Sequence, residues 1–203
     1  MTKLAFTLAV TALVVLTAPA TVHATVETPE AKEQASDAAA NARQDMVEVF
    51  GDKELKPGQY LWRDDSPARG EAQVVVSLGD QMAYLYRGGE LVAVSTISSG
   101  REGRDTPTGI FQILQKKPLH HSRKYDNAPM PFMQRIDDYG VALHAGKLPG
   151  YAASHGCVRL PAKFAARLYQ VTQLGSTVVI TPASGSARGR SPRTRATPSS
   201  RWS

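Results

Sequence analysis

The sequence predicts a mainly β domain with one short helix, on three observations. Its middle carries apolar segments rich in Val, Ile, Tyr and Phe, each about four to eight residues long as strands are. Gly79-Asp80 and Gly88-Gly89 separate three of them at the places where hairpins turn. The one clear helix-period stretch of the second half follows the only cysteine, Cys157.

The N-terminus is read first, because it decides the compartment of that cysteine. Lys3 supplies a short positive region, and Leu4 to Leu16 is apolar apart from Thr7 and Thr11. Ala18-Pro19-Ala20 and Val22-His23-Ala24 both offer the small-residue pattern of a cleavage site. The run is shorter than the ~20 residues a spanning helix needs. Residues 1–24 are therefore expected to be a signal peptide, leaving an exported protein of the periplasm or cell envelope without a transmembrane anchor, and as a monomer.

Residues 25–71 form an acidic pre-segment. Glu27 to Asp45 is rich in Ala, Glu and Gln but has no large apolar residue, which fits a solvated helix or a disordered spacer. A short first strand, Gly58 to Trp62, follows Pro57. The domain proper is expected over 72–181. Gln73 to Leu78, Met82 to Arg87 and Leu91 to Ser98 make a β-meander. Thr106-Pro107-Thr108-Gly109 turns into a further strand, Ile110 to Leu114. Residues 115–138 hold three prolines and no period, which predicts one long loop. Its Met130, Phe132 and Met133 suggest a lid or cleft wall. Tyr139 to Gly146 returns to strand pattern and carries His144 near its end. Pro161 to Gly175 reads as a helix with Phe164, Leu168 and Val171 on one face, stopped by Gly175. Ser176 to Thr181 closes the domain. Residues 182–203, mostly Ser, Pro, Arg and Gly, are expected to be a disordered basic tail.

The formal charge of +6 arises at this end of the chain. Five of the 24 basic residues lie in the tail and one in the signal segment, so the remaining 18 balance the 18 acids. Nothing here marks a nucleic-acid-binding domain. Between Ala72 and Thr181, however, 12 basic residues face 7 acids, while Glu27 to Glu71 has 11 acids and 6 bases. The acidic segment is thus a weak electrostatic match for the basic domain.

A solitary cysteine cannot close an intramolecular disulfide. It is a buried small hydrophobe, an intermolecular bridge or a working thiol. Its setting, Ala153-Ser154-His155-Gly156-Cys157-Val158-Arg159-Leu160-Pro161, favours work. A thiolate nucleophile needs a base and donors for the charge that builds on the attacked oxygen. His144 supplies the base if the ten-residue stretch after it brings the chain back. Gly156 permits close backbone approach. Arg159 and the positive end of the following helix would favour thiolate at neutral pH. A metal site of His144, His155 and Cys157 lacks a completing ligand, so no metal or other cofactor is expected. His120-His121 is expected to be solvated or substrate-facing, and Tyr125 and Tyr151 to be cleft wall. The histidine precedes the cysteine, which excludes the papain-like order, and a sortase would carry Thr-Leu-x-Thr-Cys.

The stretch Leu143 to Pro161, with Thr106 to Phe111 upstream, resembles the catalytic domain of the L,D-transpeptidases of bacterial peptidoglycan. The resemblance implies a β-sandwich of that family, with its short helix after the cysteine motif. It implies Cys157 as nucleophile, His144 as proton carrier, and Ser154, His155, Gly156 and Arg159 as residues that shape the site. The amides of Gly156 and Cys157 would form the oxyanion hole. It further implies a thioester formed on a tetrapeptide stem and passed to a second stem, a D-amino acid or an envelope-protein lysine, or lost to water, and inhibition by carbapenems. The spacer from His144 to Ser154 is shorter than in familiar members. Ala145 also stands where some carry Ser, a change without effect if the imidazole is held by that residue's backbone carbonyl.

Overall fold

In the computed structural model the described residues are 29–66 and 68–182. The expected signal segment, and residues 183–203 of the expected tail, lie outside them. Helix α1 (Pro29–Phe50) is followed by β1 (Tyr60–Trp62), β2 (Ala72–Ser77), β3 (Met82–Arg87), β4 (Glu90–Thr96) and β5 (Gly109–Gln112). Then come β6 (Gln115–Lys117), β7 (Met133–Arg135), β8 (Ala142–Ala145), β9 (Val158–Leu160), α2 (Ala162–Val171) and β10 (Thr177–Thr181). Two sheets form the sandwich, one of six strands in the order β1-β4-β3-β2-β10-β5 and one of four in the order β6-β7-β8-β9.

Burial on both faces explains the unbroken apolar strands. Val74 and Val76 of β2 point into the core shared with the small sheet and α2, while Val75 points to the opposite face with Tyr84, Val94 and Val179. The parallel pairing of β10 with β2 repeats this, Val178 and Ile180 inward and Val179 outward. Phe164 of α2 fills the inner core, with the rings of Tyr60 and Trp62 at 5.7 Å.

The outer face is covered by α1, which is neither a spacer nor solvated on all sides. Ala35, Ala42 and Met46 are buried against the sheet, with Ala38 and Phe50 beside them. The stripe is helical in spacing but small in side chain, and small residues let a helix axis approach a sheet closely. Its one side-chain tie to the sheet among the described residues is the hydrogen bond from Tyr86 Oη to Asp45 Oδ2 at 2.6 Å. Apolar contact, rather than the opposite net charges, seats the helix.

Two other expectations are corrected. Residues 115–138 are not one loop, since their ends form β6 and β7, antiparallel with Lys116 opposite Gln134. Both strands are three residues long, and both place a polar residue inward. The helix also ends at Val171, before Gly175. There Lys116 Nζ donates to the carbonyls of Tyr169 (2.6 Å) and Thr172 (2.5 Å), and the Thr172 hydroxyl lies against Gln134 Oε1 and Leu168 O. These side chains satisfy the terminal carbonyls and let Thr172 leave helical geometry. Among the described residues no helix is long and apolar enough to cross a membrane.

Substituting Met46→Ala should cost about 2–3 kcal/mol of unfolding free energy and Phe164→Ala about 3–5 kcal/mol. Urea denaturation measures both. A loss near zero for Met46→Ala would mean that α1 does not belong to the folded unit.

Candidate active site

The small sheet brings the cysteine motif to the histidine. β8 and β9 are parallel, with Leu143 opposite Val158 and His144 opposite Arg159. A parallel pair needs a crossover of about a dozen residues, which the segment between Ala145 and Val158 provides. Paired residues point to the same face, and alternate positions share it. His144, Arg159 and Cys157 therefore face one way, Cys157 offset from His144 by about 7 Å along the strands. Both side chains line the same cleft, of about 1100 Å³. The neighbouring residues Leu143, Val158 and Leu160 anchor the pair in the core behind it.

A second set of bonds clamps the motif from the segment between β4 and β5. Ser98 and Arg159 exchange both backbone hydrogen bonds, and Ser99 O accepts the amides of Ala153 and Ser154. The Ser154 side chain is buried; its Oγ accepts the Gly156 amide at 3.1 Å and donates to Cys157 O. Thr106 Oγ1 donates to Gly156 O at 2.9 Å and accepts from the Gly100 amide at 2.8 Å. Gly156 has φ of +116°, which other residues rarely adopt. The Gly156 amide is therefore committed to Ser154 and is not the free donor expected from sequence. The Cys157 amide makes no hydrogen bond among the described residues.

The histidine is fixed through its backbone neighbour. His144 is buried, and its Nδ1 lies 2.8 Å from Ala145 O. A carbonyl only accepts, so Nδ1 carries the proton and Nε2 keeps its lone pair. Serine is not needed for this at position 145. Burial pushes the imidazole pKa down to about 4, against the opposing effect of the carbonyl bond. The ring is neutral at pH 7.

Cys157 does not rest as the expected thiolate. Burial raises its pKa above the usual thiol value, and the Asp137 carboxylate adds to this. The Ala142 amide and Arg159 act in the opposite direction but do not prevail. The sulfur lies 3.8 Å from Gly140 O and packs with Met130, Met133 and Ala142. The resting pair is thiol and neutral imidazole.

The other expected residues differ in placement. Arg159 packs over Gly146, where a Cβ would meet its side chain at 3.0 Å, and lines the cleft. His155 is exposed, its ring stacked on Tyr125 at 4.5 Å, so it joins the 118–131 loop to the cysteine motif. His120 lines the cleft, while Tyr151 is exposed outside its lining. Sequence reasoning missed Asp137. Its buried carboxylate accepts the amides of Tyr139 (3.0 Å) and Val141 (2.7 Å), shaping the turn that holds Gly140 against the sulfur. The Asp-Asp-Tyr-Gly stretch was a turn signal of the sort that could have flagged it.

The cleft is strongly basic. Lys117, Arg123, Lys124, Arg135, Lys147 and Arg159 line it against the single carboxylate of Asp138, which pairs with Arg135. Among the described residues no group of three or more His, Cys, Asp or Glu is arranged to hold a metal ion.

The fold has solved counterparts. An L,D-transpeptidase from Mycobacterium smegmatis superposes with a TM-score of 0.51 at 22% identity, covering 55% of this chain and 59% of that one. One from Stackebrandtia nassauensis gives 0.52 at 24%, covering 68% and 67%. L,D-transpeptidase 3 from Mycobacterium tuberculosis, solved with a faropenem-derived adduct, gives 0.51 at 20%, covering 55% and 60%. The chain thus spans about three fifths of the length of the mycobacterial structures. At these identities the likeness speaks for the fold. No curated protein sequence matches the chain. The family model of the L,D-transpeptidase catalytic domain (YkuD) matches residues 71–180, more than half of the chain, and the protein belongs to that family.

Proposed function

We propose that this protein is a cysteine L,D-transpeptidase of the cell envelope, acting on peptidoglycan tetrapeptide stems. The observation that carries this reading is the placement of Cys157 and the Nδ1-anchored His144 on one face of paired strands in one basic cleft. In the first step Cys157 Sγ attacks the carbonyl of the third, L-centred stem residue while its proton passes to His144 Nε2. The Cys157 amide donates to the developing oxyanion. The C–N bond to the terminal D-Ala then breaks, and the imidazolium returns the proton to that amine, leaving a thioester. In the second step an amine acceptor attacks the thioester, gives its proton to His144 and restores the thiol.

Several features support this assignment. Stem peptides carry carboxylates, and the cleft offers five cationic side chains with no carboxylate partner among the described residues. Its volume exceeds that of an ordinary small-molecule site, which leaves room for a second stem. Asp137 positions the nucleophile by shaping the turn behind it.

Incubation with disaccharide-tetrapeptide and a D-amino acid, followed by mass spectrometry, should show a thioester on Cys157 and exchanged stems. Cys157→Ser should lower turnover by on the order of a thousandfold or more and remove both products. Faropenem or a carbapenem should leave a single adduct on the same residue. Hydrolysed stems without exchange would make the protein an L,D-carboxypeptidase. Stem binding without any adduct would make it an inactive wall-binding module.

Stability should follow the depressed His144 pKa. An unfolded histidine takes up its proton below about pH 6.5, whereas folded His144 resists until about pH 4. The unfolded state binds more protons in that window, so stability present above it falls as the pH drops, by about 3 kcal/mol in all. Urea titrations at pH 7 and pH 4 should show a smaller loss in His144→Gln than in the wild type.

Because Cys157 is the only cysteine, its alkylation by iodoacetamide reads its ionisation directly. The midpoint should move down in Asp137→Asn, which removes charge but keeps a hydrogen-bond acceptor, and up in Arg159→Gln. Unmoved midpoints in both would show that neither charge reaches the sulfur.

A further inference from the structure

A second, smaller cavity of about 240 Å³ lies where the ends of β1 and β3 meet α2, and shares no lining residue with the cysteine cleft. Four arginines line it, Arg63, Arg69, Arg87 and Arg167, with one carboxylate, Asp64. Arg167 is accounted for, since its guanidinium lies over the Trp62 ring at 4.0 Å and pairs with Asp64. That pair uses the only acid. Arg63, Arg69 and Arg87 form no salt bridge among the described residues.

Arg87 is the decisive group. Its Nη2 reaches the Gly70 carbonyl only at 3.5 Å, and its Nε is buried with no acceptor among the described residues. A buried charged donor left unpaired costs on the order of 1–3 kcal/mol or more, and like charges around one cavity add repulsion. Such an orphaned N–H points to an ion or water that completes it. The planar N–H fork of a guanidinium matches two oxygens of a phosphate. Three unpaired guanidinium groups also outweigh the single charge of a carboxylate, while the volume is too small for a peptide.

We propose that this pocket binds a phosphate group, with the Arg87 guanidinium as its central contact and Arg63 and Arg69 neutralising its charge. The group could be supplied by free inorganic phosphate or by a phosphodiester polymer, and the chemistry of recognition is the same.

The test follows the Arg87 Nε–Hε resonance of the ¹⁵N-labelled protein while inorganic phosphate is titrated at constant ionic strength. A saturable shift is expected, with affinity about tenfold weaker in Arg69→Gln, a substitution on an exposed side chain that leaves the fold intact. A response that drifts linearly, that chloride reproduces, or that is equally strong in Arg69→Gln and Arg63→Gln overturns the proposal. Repeating the titration with poly(glycerol phosphate) separates the sources. Tighter binding per phosphate assigns the site to a polymer, and equal or weaker binding assigns it to the free ion.

Discussion

The parallel pairing of β8 with β9 is the constraint on which the site depends. It sets the imidazole and the thiol on one face of one sheet, in a register that a shift by a single residue would destroy. Such a slip would turn Cys157 into the core and Val158 into the cleft. The core guards against it, because Leu143, Val158 and Leu160 are buried behind the cleft and cannot exchange places with His144 and Arg159. Ser98 and Ser99, just past the end of β4, hold the other edge of the motif, so Cys157 is pinned from both sides rather than carried on a free loop. Precision of this kind suits chemistry that needs sulfur, base and oxyanion donor aligned to fractions of an ångström.

Much of this was legible in the sequence, and what was not has physical causes. Strands bounded by Gly-Asp and Gly-Gly were plain, because composition and turn chemistry agree there. β6 and β7 were hidden because their inward residues, Lys116 and Gln134, are polar. They face the end of α2, where Lys116 satisfies two carbonyls, so no apolar pattern marks them. The seat of α1 was hidden because its buried stripe is mostly alanine, which a search for large apolar residues passes over. At the site, residue order and chemistry singled out His144 and Cys157, which the fold brings to one cleft. Thr106 was not singled out, because it reaches Gly156 from fifty residues away through a contact that only the fold creates, and Asp137 was not, because its local turn says nothing of the sulfur that the turn comes to face.

The electrostatics of the cleft and of the thiol pull in different directions, and the structure keeps them apart. The walls are cationic, which would draw in the anionic peptide of the proposed reaction over distances of a Debye length. The sulfur lies behind them, packed with Met130, Met133 and Ala142, where burial outweighs the pull of Arg159. Attraction of substrate therefore does not require a standing thiolate. The neutral imidazole is the counterpart, since a base that is unprotonated at rest can accept the thiol proton as the carbonyl arrives.

This arrangement also answers why a protein expected to leave the cytoplasm keeps a single thiol. Thiolate character and exposure govern how fast a cysteine is oxidised. Cys157 rests as a thiol with no second cysteine in the chain to form an internal disulfide. In the proposed reaction, ionisation is deferred to the moment when His144 and a bound carbonyl share the proton and the charge. The burial that raises the thiol pKa lowers that of the imidazole as well, so one desolvated face keeps the sulfur a thiol at rest and leaves the proposed base unprotonated.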